Sequence, residues 1–184
     1  MIFKALSHRK EFSFLIRFLI LYFSGTFVLK AFHKSYSEIS RLDPVTTVCT
    51  FYTGDFIKLF GFGPSYVLRD PHPDNELSLS HSIYVDDQYA ISIFPGCNGL
   101  SLVVLYAYFI LSIGSPWALK FKALLLGVPM VFYANALRLA LLCLLNTHGQ
   151  RAHFYFYHKY FFTAIIYAVV LLMWLLFLRL NGSK

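Results

Sequence analysis

Four long apolar segments limit the folds that this chain can adopt. They cover residues 12–32, 96–113, 123–145 and 160–178, and each is close to the roughly 20 residues that a helix needs to cross a bilayer. With 58% hydrophobic and only 14% charged residues, the composition does not fit an ordinary soluble domain. The sequence therefore predicts an all-α polytopic membrane protein with about four transmembrane helices, built as a single membrane domain over residues 1–184.

Basic residues in the short loops predict the orientation of these helices. In a four-helix topology one side of the membrane carries Lys4, Arg9, Lys10, Lys120, Lys122, Arg179 and Lys184. Short loops rich in lysine and arginine face the cytoplasm. We therefore expect a protein of the plasma (inner) membrane with both termini on the cytoplasmic side and residues 33–94 on the outer side. The net charge of +7 then reflects topology, and no nucleic-acid partner is expected, because no basic face is interleaved with exposed aromatic residues.

The extracytoplasmic segment 33–94 is the only part long enough to form a water-facing domain. Within 42–62, apolar residues recur at helical spacing between charged ones, which predicts an interfacial helix, with a fifth span as the alternative. A proline-rich turn at 70–75 follows. The stretches 77–85 and 89–94 alternate in polarity and predict a small β-hairpin.

Cys97 stands where this hairpin meets the second apolar segment, within Pro95-Gly96-Cys97-Asn98-Gly99. Pro95 and Gly96 end the extended segment, so we expect Cys97 in the first turn of the following helix. There the helix dipole and free N–H groups would favour a thiolate. The N–H groups of Asn98 and Gly99 are candidate donors to the oxyanion of a tetrahedral intermediate. The alternative is that Cys97 is a small packing residue.

The other two cysteines, Cys49 and Cys143, are both expected near the outer side of the membrane. A disulfide between them is conceivable if the interfacial helix packs on the third span. The favoured interpretation is two buried thiols.

Arg138 lies inside the third apolar segment, in Asn135-Ala136-Leu137-Arg138. A charge there costs at least about 2.5 kcal/mol and must face a cavity, partner or substrate. Asn135 is one turn earlier on the same helix face. A guanidinium at this position suits the stabilisation of a transition state or the clamping of a carbonyl or carboxylate. A snorkelling arginine in a span that ends early is the alternative.

His158 immediately precedes the last apolar segment and is a candidate acid–base catalyst. His148 and His153 compete with it, and His153 is kept as the alternative catalytic histidine. The spacing of five residues between these histidines misses the i, i+4 pattern of a helical metal pair. We therefore expect neither a metal site nor a cofactor.

Three ordered motifs carry a resemblance to a known family. Pro95-Gly96-Cys97-Asn98-Gly99-Leu100, then Asn135-Ala136-Leu137-Arg138-Leu139, then His158 before the final apolar helix, together resemble the core signature of the exosortase/archaeosortase family, over roughly residues 93–178. The chain looks like a short form, because many relatives have about twice as many membrane helices.

The resemblance implies an intramembrane, sortase-like cysteine transpeptidase with its active site at the extracytoplasmic face. Cys97 would be the nucleophile, Arg138 the charged stabiliser and His158 the third catalytic residue. The partners implied are exported proteins whose C-terminal tails carry a recognition motif, a membrane helix and a basic end. An acyl-enzyme thioester would form, and an acceptor nucleophile of unknown identity would resolve it.

Two other classes of function compete with this interpretation. In one, the chain is a non-enzymatic membrane adaptor in which Asn135 and Arg138 bind a partner helix, and substitution of Cys97 has no effect. In the other, it carries a haem or metal held by histidines. Neither explains why a thiol, a guanidinium and an imidazole are expected at one membrane depth.

Overall fold

The computed structural model describes residues 2–38, 42–69, 80–149 and 153–182. Its helices are α1 (Ile2–Glu38), α2 (Pro44–Leu59), α3 (Leu100–Ser112), α4 (Trp117–His148), α5 (Phe154–Phe156) and α6 (Phe162–Gly182), with a π-helical turn, Tyr157–Phe161, between the last two. Its strands are β1 (Pro64–Arg69), β2 (Ser80–Val85) and β3 (Gln88–Ile93). The predicted proline-rich turn at 70–75 lies outside the described residues.

Within the described residues, three helices are long and apolar enough to cross a membrane: Phe12–Tyr36, Trp117–His148 and Phe154–Gly182. The prediction of a mainly helical, polytopic membrane protein is confirmed. The predicted second span, 96–113, corresponds to α3, which has only 13 residues. It is shorter than expected because residues 94–99 form turns and Gly99, at φ +77°, precedes the first helical residue.

The short α3 helix lies between α1, α4 and α6. Its Tyr106 donates a hydrogen bond to the carbonyl of Ala123 at 3.0 Å and packs over Gly127, where an added Cβ would lie 2.2 Å from the phenol oxygen. Phe109 stacks on Trp174 of α6 with ring centroids 4.2 Å apart. Gly127 leaves room for the Tyr106 ring, and small residues of this kind are common where membrane helices pack together.

Helix α4 runs antiparallel to α3 and to α6, against both of which it packs. At one end of the bundle, Lys120 at the start of α4 donates to the carbonyl of Leu111 at 2.8 Å, near the end of α3. The start of α3, the end of α4 and the start of α5 therefore meet at the opposite end, where the sheet also lies. This end collects the residues that the sequence singled out.

The sheet has the order β1-β2-β3 and is antiparallel throughout. The β2–β3 hairpin is confirmed. Its two turn residues, Asp86 and Asp87, have φ values of 50° and 62°, as a two-residue loop that matches strand twist requires. Ile83 pairs with Ile91 and Tyr84 with Tyr89, so Ala90 is an extra, bulged residue of β3. Strand β1, which pairs with β2, was not predicted.

Helix α2 packs between the sheet and α4. The predicted interfacial helix thus has 16 residues and a buried face that includes Thr46, Cys49 and Ile57. Cys49 and Cys143 join one apolar core with the buried side of the sheet, and both are free thiols. The disulfide considered for this pair is absent, and the structure has the two buried thiols that were favoured.

Candidate functional site

Cys97 lies in a turn between β3 and α3. Its N–H donates to the carbonyl of Phe94 at 2.8 Å, which closes the turn Phe94-Pro95-Gly96-Cys97. The side chain of Asn98 then accepts from the N–H of Leu100 at 2.9 Å. The expectation that Cys97 occupies the first turn of the helix was wrong, because α3 starts only at Leu100 and Gly99, in the left-handed conformation, separates it from the cysteine.

A buried polar network fixes this turn to α2. Asn98 is 1% exposed, and its Nδ2 donates to Thr46 Oγ1 at 2.9 Å and to Asp43 Oδ1 at 3.4 Å. Thr46 Oγ1 in turn donates to Asp43 Oδ2 at 2.5 Å. We call these residues the Asp43–Thr46–Asn98 network. The side chain of Asn98 therefore holds the cysteine turn in place through contacts within the protein.

The same aspartate starts α2. Asp43 is its N-cap and accepts from the N–H of Thr46 at 2.9 Å, with Pro44 at the first helical position. His33 of α1 lies 4.0 Å from the Asp43 carboxylate. One side chain thus links α1, α2 and the cysteine turn.

Asn135 holds the cysteine turn from the other side. Its Nδ2 donates to the main-chain carbonyl of Cys97 at 3.0 Å, and its Oδ1 accepts from Arg138 Nη1 at 3.4 Å. An added Cβ at Gly99 would lie 2.8 Å from Asn135 Nδ2. The main chain after Cys97 therefore packs directly on the Asn135 side chain.

Arg138 continues this chain of contacts to the last helix. Its Nη2 donates to the main-chain carbonyl of His158 at 3.3 Å. Its Nε is buried and has no hydrogen-bond partner among the described residues. The guanidinium is therefore placed between the cysteine turn and His158 and retains an unused donor.

A π-helical turn frees the carbonyl that receives Arg138. In an α-helix the N–H of Phe162 would bond the carbonyl of His158, four residues earlier. Here it bonds the carbonyl of Tyr157 instead, and His158 accepts from Arg138 and from Thr163 Oγ1, the latter at 3.1 Å. Such single π turns often occur at functional sites.

Cys97 and His158 line the same cavity, which has a volume of about 310 Å³. The ring of His158 stacks on Phe154 with centroids 5.8 Å apart and an interplanar angle of 19°. His153, the alternative histidine, is exposed and is not part of the wall of this cavity. The lining residues are Tyr89, Ala90, Ile91, Ser92, Phe94, Cys97, Leu139, Asn146, Phe154 and His158.

The surroundings of Cys97 act on its thiol in opposite directions. Burial raises the pKa of Cys97 above its ordinary value, while the positive charge of Arg138 and a main-chain hydrogen bond at Phe94 lower it. Burial prevails at both thiols: the pKa of Cys97 lies above its ordinary value, and that of Cys49 is raised to about 12. Of these two thiols, Cys97 is the one whose thiolate a guanidinium stabilises.

Sequence reasoning missed Asp43 and Thr46. A signal for them was present, since an aspartate followed by proline, with a threonine three residues on, is typical of a helix N-terminus. Their link to Asn98 spans more than 50 residues of sequence, and no local pattern reports a contact of that range.

Fold and site together define a polytopic membrane protein with a half-buried cysteine next to a histidine and an arginine. The chain matches the family model for transmembrane exosortase (Exosortase_EpsH) over residues 6–176 and belongs to this family, as the resemblance had indicated. Membership supports a membrane transpeptidase-type role at the level of the family. Comparison with curated proteins and with solved structures gave no match.

Proposed function

We propose that this protein is a membrane-embedded cysteine protease and transpeptidase. It cleaves the C-terminal sorting signal of exported proteins and transfers them to an acceptor nucleophile. The observation that carries the proposal is the shared cavity of Cys97 and His158, with Arg138 bonded to the main chain of His158 and, through Asn135, to that of Cys97. A thiol activated by an imidazole forms a thioester with a carbonyl substrate, and a guanidinium beside them stabilises negative charge.

The first half of the reaction forms the acyl-enzyme. His158 takes the proton of the Cys97 thiol, and the thiolate sulfur attacks the carbonyl carbon of the scissile amide. When the tetrahedral intermediate collapses, the C–N bond breaks and the amine leaves with the proton from His158. The tail departs with a new amino terminus, and the exported protein remains bound to Cys97 as a thioester.

The second half releases the sorted protein. An acceptor amine, or water, loses a proton to His158 and attacks the thioester carbonyl. The C–S bond then breaks, and the Cys97 thiolate recovers the proton. In both halves the charge of Arg138 stabilises the thiolate, and the N–H groups of Asn98 and Gly99 are the proposed donors to the oxyanion.

The setting of the site supports a substrate held in the membrane. The cavity lies at the sheet end of a bundle of apolar helices. The lysine and arginine residues of the short loops support the proposal that this end faces the extracytoplasmic side of the inner membrane. A tail with a membrane helix and a basic end would lie along such a bundle and present its recognition motif at the cysteine.

The test is to compare the C termini of exported proteins in cells with the wild-type enzyme and in cells with Cys97→Ala. Proteins that lose their tails only with the wild-type enzyme are its substrates. We expect Cys97→Ala, expressed at the wild-type level, to accumulate tailed precursors. A hydroxylamine-sensitive adduct on Cys97 would show the thioester directly.

Cys49→Ala and Cys143→Ala are the matched controls, because both remove a buried thiol outside the cavity. They should process substrates normally. Normal processing by a well-expressed Cys97→Ala protein would exclude the cysteine enzyme and leave the adaptor that binds partner helices through Asn135 and Arg138.

A further inference from the structure

The two oxygens of the buried Asp43 carboxylate are unequally bonded. The side chain is 0% exposed. Its Oδ1 accepts from the N–H of Thr46 and from Asn98 Nδ2, whereas Oδ2 accepts only from the Thr46 hydroxyl among the residues that the structure describes. An ionised carboxylate has about four lone-pair sites on its two oxygens. Oδ2 therefore has room for one more donor, and a buried charge gains more from such a bond than a neutral group does.

His33 of α1 faces this oxygen. Its Nδ1 lies 4.0 Å from Asp43 Oδ2, and the same nitrogen is buried without a hydrogen-bond partner in the described part of the chain. Each atom lacks what the other supplies, since Oδ2 lacks a donor and an Nδ1 hydrogen lacks an acceptor. The separation exceeds a hydrogen bond by about 1 Å, which is within the reach of a side-chain rotation.

Asp43 connects this histidine to the cysteine turn. The carboxylate holds the amide of Asn98, and Asn98 directly follows Cys97. The oxygen of the same amide accepts from the N–H of Leu100, where α3 begins. A shift of the carboxylate would therefore shift the main chain on both sides of Asn98. Helix α1 otherwise packs mainly against α3, so His33 is where it meets the start of α2.

We infer that His33 is a positioning residue of the active site. Its Nδ1 hydrogen bonds Asp43 Oδ2, so that α1 fixes the carboxylate that holds Asn98 and, with it, the cysteine turn. This inference rests on the proposed function and adds to it a residue that acts through Asp43 without touching the substrate. A buried polar network rigidifies a site when each of its members is bonded, and a nucleophile needs such support to stay in its productive geometry.

The first experiment separates the hydrogen bond from the shape of the side chain. His33→Phe keeps an aromatic ring and removes the donor, whereas His33→Asn returns an N–H close to the place of Nδ1. We expect His33→Phe to lower kcat for an identified tailed substrate by about 10-fold, the effect of one hydrogen bond to a charged group, with KM unchanged. His33→Asn should recover most of this loss. His81→Phe is the matched control, because Nδ1 of His81 is also buried and unpartnered among the described residues, and it should keep the wild-type kcat.

A double-mutant cycle tests the contact without any substrate. Thermal unfolding in detergent is compared for His33→Phe, Asp43→Asn and the double variant. We expect the double variant to lose less stability than the sum of the two single losses, as residues in contact do. If Asp43→Asn fails to accumulate, Asp43→Ser replaces it, because serine retains an oxygen that can cap α2.

The outcomes distinguish this inference from the proposed function. Additive losses in the cycle, or equal kcat losses in His33→Phe and His33→Asn, would overturn the role of His33 and leave the proposed reaction intact. Coupled losses with an unchanged kcat in His33→Phe would reduce the contact to a structural one and also overturn it. Normal processing by Cys97→Ala would overturn both proposals, whatever the cycle shows.

Discussion

The α-carbon of Gly99 lies against the Asn135 side chain so closely that an added Cβ would come within 2.8 Å of Nδ2. The same nitrogen donates to the carbonyl of Cys97. The position of the proposed nucleophile therefore depends on a residue without a side chain two positions later. Substitution of other glycines separates the effect of the left-handed backbone from the effect of the contact with Asn135.

Gly99→Ala should destabilise the protein by more than the about 1–2 kcal/mol that a left-handed backbone costs an ordinary residue, and processing should fall sharply. At Gly61 the φ is positive but an added Cβ would have no neighbour within 4 Å, so Gly61→Ala tests the backbone cost alone. At Gly114 the φ is not positive and an added Cβ would also have no neighbour within 4 Å, so Gly114→Ala is the control for both effects. Thermal unfolding in detergent should rank their losses as Gly99, then Gly61, then Gly114. Equal losses for Gly99→Ala and Gly61→Ala would show that the contact with Asn135 does not matter.

Asn98→Asp should weaken the Asp43–Thr46–Asn98 network. The substitution removes the donor that faces Thr46 and Asp43 and places a second carboxylate beside the first, at a cost of about 2 kcal/mol. Adding Asp43→Asn supplies an amide donor again and leaves a single carboxylate in the network. The double variant should therefore unfold at a higher temperature than Asn98→Asp alone. Asp55→Asn, in an exposed pair with Lys58, serves as the surface control and should change little.

Alkylation of Cys97 should depend on pH and on Arg138. Burial raises the pKa of Cys97, and the thiolate is the reactive form, so the rate with iodoacetamide should still be rising above about pH 8.5, the ordinary thiol value. Arg138→Gln removes a charge that lowers this pKa and should move the profile to higher pH. The measurement uses a Cys49→Ala, Cys143→Ala background, with Arg179→Gln as a distant charge control. An unchanged profile in Arg138→Gln would mean that the thiol does not sense the guanidinium.

His158→Ala should reduce processing by about 10²-fold or more, the usual contribution of an acid–base catalyst. Arg138 bonds the main-chain carbonyl of residue 158, so this substitution leaves the structural anchor in place and removes only the imidazole. His153→Ala changes an exposed histidine nearby and should retain activity. Turnover assays on the identified substrates show which histidine is catalytic. Loss of activity in His153→Ala but not in His158→Ala would assign the catalytic role to His153.

Labelling of single cysteines tests the orientation of the bundle. In a protein lacking the three native cysteines, Asp87→Cys, in the hairpin loop, should react with an impermeant maleimide in intact cells. Gly114→Cys, in the connection before α4, should react only after permeabilisation. Both positions are exposed. External labelling of position 114 would put the cavity on the cytoplasmic side.

The sequence predicted those features that depend on local patterns. Apolar length predicted the helices, although α1 and α4 extend beyond the expected spans. Alternating polarity predicted the hairpin, with its aspartate turn. Strand β1 was not predicted because it joins the sheet only through β2. Residues 70–79 separate the two strands in the sequence, so their pairing depends on tertiary contacts and not on a local pattern.

The candidate site was predicted as residue types but not as a geometry. Cys97, Arg138 and His158 were singled out from their unusual positions at or in apolar segments. That Asn135 binds the main chain of Cys97, or that a π turn frees the carbonyl of His158 for Arg138, follows from main-chain conformations that side-chain periodicity does not encode. Their assignment as catalytic residues stays a prediction until the variants above are measured.

The shortness of α3 has a consequence for the lipid around the protein. Thirteen residues rise only about 20 Å at 1.5 Å each, against a hydrocarbon thickness of roughly 30 Å. Because α3 and α4 are joined by a short connection at the opposite end, a bilayer around the bundle would leave the thiol ahead of α3 recessed below the headgroups of the sheet side. The bilayer would then thin or admit water at that point. A peptide bond at the top of a membrane helix can then meet the cysteine without the helix being pulled out of the lipid.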